Sequence, residues 1–140
     1  MDLLERARTL MACPLFESLS PAVLIRLAER ARATELERGE RRTTDDTVWV
    51  VASGSLAVAV REGGVIDATA SIVRKHGASA TEGNALGVIR VVRPDTPVIE
   101  VVAEVPSVLV GVIVDDVRDV LEEDPAALTA IADRLAALLL

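Results

Sequence analysis

The hydrophobic period changes twice along these 140 residues, and this restricts the possible folds more than any single motif. At the N-terminal end, Leu3, Leu4, Ala7, Leu10 and Met11 recur at the three-to-four spacing of a helix face. That helix should stop before Pro14, because a residue preceding proline is driven out of helical geometry. Ser20-Pro21 reads as a second helix start, with Ser20 as cap, Pro21 in the first turn, and Leu24, Leu27, Ala28 and Ala31 as the buried stripe. The pattern then turns into short segments rich in β-branched residues: Val48 to Val51, Leu56 to Val60, Val65 to Ser71, Val88 to Val92, Val98 to Ala103 and Val108 to Val114. Turn signals separate them at Gly39, Ser53-Gly54, Gly63-Gly64, Gly77, Gly83 and Pro94-Asp95. Helical spacing returns with Asp115 as candidate cap and Val117, Val120 and Leu121 on one face. A final helix opens at Asp124-Pro125 and carries Leu128, Ile131, Ala132, Leu135, Leu138 and Leu139. Many short strands between helical ends predict a sandwich, barrel or roll.

The length is that of one domain. Trp49 and Phe16 are the only aromatics, so the core must be aliphatic. Val50, Leu56, Val58, Val101, Val108, Val110 and Val112 are expected to point into one interior at period two. A net charge of −7 and the near absence of stacking rings argue against nucleic acid as a partner. The longest apolar run, Val105 to Val114, is about ten residues and reads as a buried strand, well short of a membrane span. The charged start (Asp2, Glu5, Arg6, Arg8) resembles no targeting peptide. The single Cys13 fits a reducing, cytoplasmic setting, and one Cys with one His makes no zinc site of the usual kind.

Four segments then carry a resemblance. Leu15-Phe16 through Leu19-Ser20 is followed by the turn Arg38-Gly39-Glu40, by Val48-Trp49-Val50-Val51-Ala52-Ser53-Gly54-Ser55-Leu56, and by Asp116-Val117-Arg118-Asp119-Val120-Leu121-Glu122-Glu123-Asp124-Pro125. In this order they resemble the cyclic-nucleotide-binding domain family. The resemblance implies a mainly β fold with flanking helices: a β-roll (double-stranded jelly roll) over about 33–114, helices over about 2–12 and 21–32, and helices over about 115–140. The wording is similar to bacterial members attached to larger transporter-like proteins.

The family holds its ligand with a short helix and turn, Phe-Gly-Glu-[Leu/Met]-Ala-Leu-Leu, followed by a Pro-Arg stretch. Backbone N–H groups and the Arg take the cyclic phosphate, and the Glu takes the ribose. The nearest segment here is Ala80-Thr81-Glu82-Gly83-Asn84-Ala85-Leu86-Gly87. On this resemblance Thr81, Glu82, Gly83, Asn84 and Ala85, with Arg93 and Asp95, form a remnant cassette. Thr81 replaces the glycine before the Glu, and Asp95 follows Pro94 where the Arg belongs. Pro97 removes a donor, and the stretch from Glu82 to Ala103 is longer than usual. The turn after Gly39-Glu40 is also cut short, to Thr43-Thr44-Asp45-Asp46.

Each of these residues has a plainer reading. Glu82 can simply cap the short helix, and Arg90 or Arg93 can be solvated loop residues or can reach the phosphate from a shifted loop. His76 reads as a surface-turn residue and Cys13 as a packed one. Asp115-Asp116 sits at the positive end of a helix, and Asp45-Asp46 lacks calcium-loop spacing. The expectation is a non-catalytic regulatory or interaction module that binds neither cAMP nor cGMP and needs no cofactor or metal. The alternative is a true small-molecule sensor with a rearranged cassette. Leu128, Ile131, Leu135 and Leu138, with the terminal leucines, lead us to expect a protein partner, the rest of a longer chain, or a weak homodimer through the last helix, without membrane insertion.

Overall fold

The computed structural model describes residues 1–60, 79–93, 95 and 98–139. Two helices lead in, α1 (Leu3–Ala12) and α2 (Pro21–Arg30). A reciprocal capping box starts α1: the Asp2 carboxylate accepts from the Glu5 N–H at 2.8 Å, and Glu5 accepts from the Asp2 N–H at 3.2 Å. Ser20 caps α2 as its sequence predicts, accepting from the Val23 N–H at 3.3 Å. The Arg6 Nε donates to the Ala28 carbonyl at 3.0 Å and ties the two helices together. Cys13 is 1% exposed, and burial pushes its thiol up to about 11, so it stays protonated and packed.

The described strands are β1 (Arg32–Leu36), β2 (Arg41–Thr43), β3 (Thr47–Ser53), β4 (Ser55–Val60), β5 (Ser79–Thr81), β6 (Ala85–Leu86), β7 (Ile99–Ala103) and β8 (Ser107–Ile113). They form two antiparallel four-stranded sheets, ordered β1-β8-β3-β6 and β2-β7-β4-β5, the β-roll the resemblance implied. The second helix was expected to reach residue 32, but Ala31 caps it and Arg32 already pairs with Gly111. The expected strand from Val65 to Ser71, with Gly63-Gly64, His76 and Gly77, lies outside the described residues.

One interior was expected, and there are two. Alternate residues of a strand point to opposite faces, and the β8–β3 sheet is covered on both. Leu36, Val51, Leu86 and Leu109 meet Leu56, Ile99, Val101 and Ala103 of the other sheet inside the roll, with Trp49 and Val58 against them. Val48, Val50, Val110 and Val112 turn the other way and pack under the helices with Leu10, Phe16, Leu27, Val120 and Ile131. Val50, Val110 and Val112 thus belong to the helix-side core rather than the roll interior. Val108 is half-buried, and its neighbour Leu109 takes the inward place.

The Val88 to Val92 segment, expected as a strand, is mostly a short helix, α3 (Ile89–Val92). Val88 and Val91, three residues apart, both bury in the helix-side core, and that packing outweighs the β preference of branched residues. The last helices are α4 (Val114–Glu122) and α5 (Pro125–Leu139). Asp115 is not the cap of α4, because the helix begins one residue earlier and no side chain caps it. The Val114 N–H donates instead to the Asp46 carbonyl at 2.8 Å. Asp124 does cap α5, accepting from Ala126 and Ala127 at 3.1 and 3.3 Å. Arg26–Glu123 and Arg30–Asp116 pairs link α2 to α4, and Arg134–Glu17 links α5 to the loop after α1.

The α5 stripe expected to pair two copies is turned inward: Ile131 and Leu135 are 0% and 5% exposed in the protein's own core. Leu128 is more open, and the side chains of Leu138, Leu139 and Leu140 lie outside the described residues. None of the described helices is long and apolar enough to cross a membrane.

At the edge of the second sheet, Ser79 and Ser55 hydroxyls donate to the Glu104 carboxylate at 2.5 and 2.8 Å and hold it below the usual carboxylate range. A lowered folded pKa stabilises above the ordinary value and is lost as pH falls through the folded one. Glu104→Gln should therefore flatten part of the acid-side loss of stability, read as urea midpoints between about pH 3 and 6.

Candidate ligand site

The remnant cassette begins where β5 ends. Thr81 closes that strand opposite Ser55, Glu82 and Gly83 make the turn, and Asn84 leads into β6, so the chain passes here from one sheet to the other. The Asn84 Oδ1 accepts from the Thr81 N–H at 2.8 Å, and the Asn84 N–H donates to the Thr81 carbonyl at 2.9 Å. Gly83, with φ of 86°, donates to the Val51 carbonyl at 3.0 Å, and the Val51 N–H donates to the Asn84 carbonyl at 3.0 Å. The Gly83 N–H is therefore engaged in joining this turn to β3, and the Asn84 N–H in closing the turn itself. They are not directed at a cavity.

Nor does Glu82 cap a helix. It is exposed beside Gly83 in a cleft of about 150 Å³ that Arg8, Thr9, Ala12, Val51 and Ala52 also line. A Cβ at Gly83 would sit 3.4 Å from the Ala12 carbonyl, so this turn lies against the end of α1. Ala85 is buried with the helix-side core, while Leu86 enters the roll.

The short helix comes later than the sequence suggested. Gly87, with φ of 86°, precedes Val88 and then α3. A side chain at Gly87 would press on the Thr44 side chain at 3.0 Å as well as requiring this φ. Arg90 extends to the β2–β3 turn, its guanidinium donating to the Asp45 carbonyl at 3.1 Å. Arg93 ends α3, its N–H on the Ile89 carbonyl at 2.8 Å, and is exposed. Asp95 is an exposed turn residue, while Pro94, Thr96 and Pro97 lie outside the described residues. The expected site residues are thus divided between the α1 side of the β5–β6 turn and the end of α3.

The roll interior contains no buried charge among the described residues. The buried polar side chains there are Thr44 and Ser107, and both are satisfied. The Thr44 hydroxyl accepts from the Ile99 N–H at 2.9 Å, and the Ser107 hydroxyl donates to the Val105 carbonyl at 2.8 Å. Trp49 lies over Gly111, where an added Cβ would come within 2.4 Å of the ring, and its indole N–H donates to the Thr43 carbonyl at 2.8 Å. The sequence gives no sign of this close pairing, since Trp49 and Gly111 meet only across the β3–β8 ladder. Asp45, Asp46 and Asp115 do share one cleft, yet Arg90 and Arg118 line it with them, and no cluster of metal-ligating groups occurs among the described residues.

No family model matches the chain, and no curated protein matches it. Solved structures do. The sensor domain of the transcriptional regulator DNR from Pseudomonas aeruginosa superposes at a TM-score of 0.71 with 20% identity, over 98% of this chain and 90% of that one. The N-terminal domain of a transcriptional regulator from Streptomyces coelicolor A3(2) gives 0.65 and 19%, over 99% and 93%. A protein from Ruegeria pomeroyi bearing the name of a cyclic nucleotide binding protein gives 0.70 and 18%, over 99% of this chain and 60% of that one. Two sheets in this order, the helices at both ends and these superpositions agree: the chain has the fold of the cyclic-nucleotide-binding domains.

Proposed function

We propose that this domain is a non-catalytic regulatory or interaction module within a longer protein, and that it binds neither cAMP nor cGMP. The observation that carries the reading is the apolar roll interior: aliphatic side chains make up its buried cluster with Trp49 packed against them, and no buried charge occurs there among the described residues. A cyclic phosphate is an anion, and moving it into such surroundings without a charged partner costs several kcal/mol.

Chain order supports the same reading in a revised register. If Gly87 stands for the family's glycine, directly before the short helix, then Val88 stands where the resemblance puts the ribose-binding Glu. The interval to Ala103 then loses the excess length counted from Glu82. On this reading Glu82 is a surface residue of the β5–β6 turn, and neither register supplies an Arg at the phosphate position. Two of the relatives in fold are a sensor domain and an N-terminal domain of transcriptional regulators, which favours a part that reports to an attached effector.

Isothermal calorimetry with cAMP and with cGMP tests the proposal. No heat of binding is expected at ligand concentrations up to about 100 µM. A dissociation constant below about 10 µM, near −7 kcal/mol, overturns it in favour of a true sensor with a rearranged cassette.

A further inference from the structure

We infer that Arg118 is a clasp that fastens the end of α3 to α4 and so ties the roll to the C-terminal helices. Three of its donors are placed. Nε donates to the Val91 carbonyl at 3.2 Å, Nη2 to the Arg90 carbonyl at 3.3 Å, and Nη1 to the Asp115 carboxylate at 3.1 Å.

The two carbonyls belong to the last turn of α3, where the helix itself offers no further N–H to bond them. A helix of four residues is far below the length that holds itself in water. Its persistence must come from what packs on it and what binds its ends. Val88 and Val91 supply the packing, and the planar Arg118 fork supplies the end contacts. Asp115, one turn before Arg118 on α4, fixes the third donor and so limits the rotation of the guanidinium.

The clasp closes a larger junction. On its far side, the Arg90 guanidinium donates to the Asp45 carbonyl at 3.1 Å, and the first N–H of α4 donates to the Asp46 carbonyl at 2.8 Å. The β2–β3 turn, α3 and the start of α4 therefore meet around one cleft of about 220 Å³, lined by Asp45, Asp46, Arg90, Asp115 and Arg118 among others. Displacing α4 from the roll requires these contacts to open together. The inference concerns residues on the outside of the roll, and it stands or falls separately from nucleotide binding.

Hydrogen exchange on the whole chain tests it, with Arg118→Met to keep the apolar stem and remove the donors. Val91 and Arg93 amides, both bonded inside α3, should exchange about tenfold faster. The Val51 and Ala103 amides of the roll should keep their wild-type rates. Arg118→Lys keeps the charge beside Asp115 but cannot fork onto two carbonyls, so it should loosen α3 almost as much. Wild-type exchange at Val91 and Arg93 in Arg118→Met overturns the clasp. Equal acceleration of all four amides also overturns it, since that is loss of global stability. Full rescue by lysine shows a charge effect only and overturns the two-carbonyl contact.

Discussion

Gly54→Ala is expected to destabilise the domain by about 3–5 kcal/mol, read as a lower urea midpoint with an unchanged slope. Gly54 joins β3 to β4 with φ of 101°, a conformation that an L side chain adopts only at a cost of about 1–3 kcal/mol. The added methyl would also lie 2.7 Å from the Ser107 Cα and 2.6 Å from its Cβ. Neither contact is relieved by rotating a side chain, because the Cα is backbone. Overpacking of this kind adds about 1–3 kcal/mol. The strain also falls where the Ser107 hydroxyl accepts from the Ser55 N–H at 3.2 Å, so the bond that closes the hairpin onto β8 is lost with it. Gly39→Ala is the control: its φ is 88°, but nothing lies within 4 Å of the added Cβ. Its cost should stay near the conformational part alone, about 1–2 kcal/mol. Equal effects at the two positions would show that the Ser107 contact carries no weight.

Leu135→Glu is expected to detach or unfold α5. Leu135 is 5% exposed and packs in the same core as Ile131, Val120 and Leu27. The substitution removes a buried leucine, worth about 2–5 kcal/mol when truncated, and introduces a carboxylate that must be desolvated or drawn out to water. Far-ultraviolet circular dichroism should show less helix, and thermal unfolding should begin earlier or lose its cooperativity. Ala132→Glu, one turn away on the exposed side of α5, should leave both nearly unchanged. A fully folded Leu135→Glu variant that only changes its association state would return this stripe to the role of an intermolecular surface.

These two residues mark the boundary of what sequence reading could reach. Ser20, Pro21, Asp124 and Pro125 signal helix starts through bonds made within three residues, and the structure keeps all of them. The short β-branched runs punctuated by glycine likewise announced strands, because turn and strand preferences act locally. The segment from Val88 to Val92 had the composition of those strands and became a helix. Its valines found burial at positions three apart, beneath helices that lie elsewhere in the chain. The short helix expected within the cassette wording lies further along the chain for the same reason. Glu82 followed by Ala85-Leu86 repeats the family wording, but the short helix belongs to the stretch after Gly87.

By itself, the sequence determined the element types at both ends and the aliphatic character of the interior, which follow from local preference and hydrophobic period, while the fold class was legible through the family resemblance. Only the tertiary structure decided which face of each strand meets which layer. A period of two says that Val50 and Val51 point in opposite directions, but it does not say that both directions are buried. The β8–β3 sheet is covered on one side by the second sheet and on the other by helices, so Val51 fills the roll while Val50 supports the helix layer. The same holds for α5: long-range packing against the protein's own core buries Ile131 and Leu135 of its stripe.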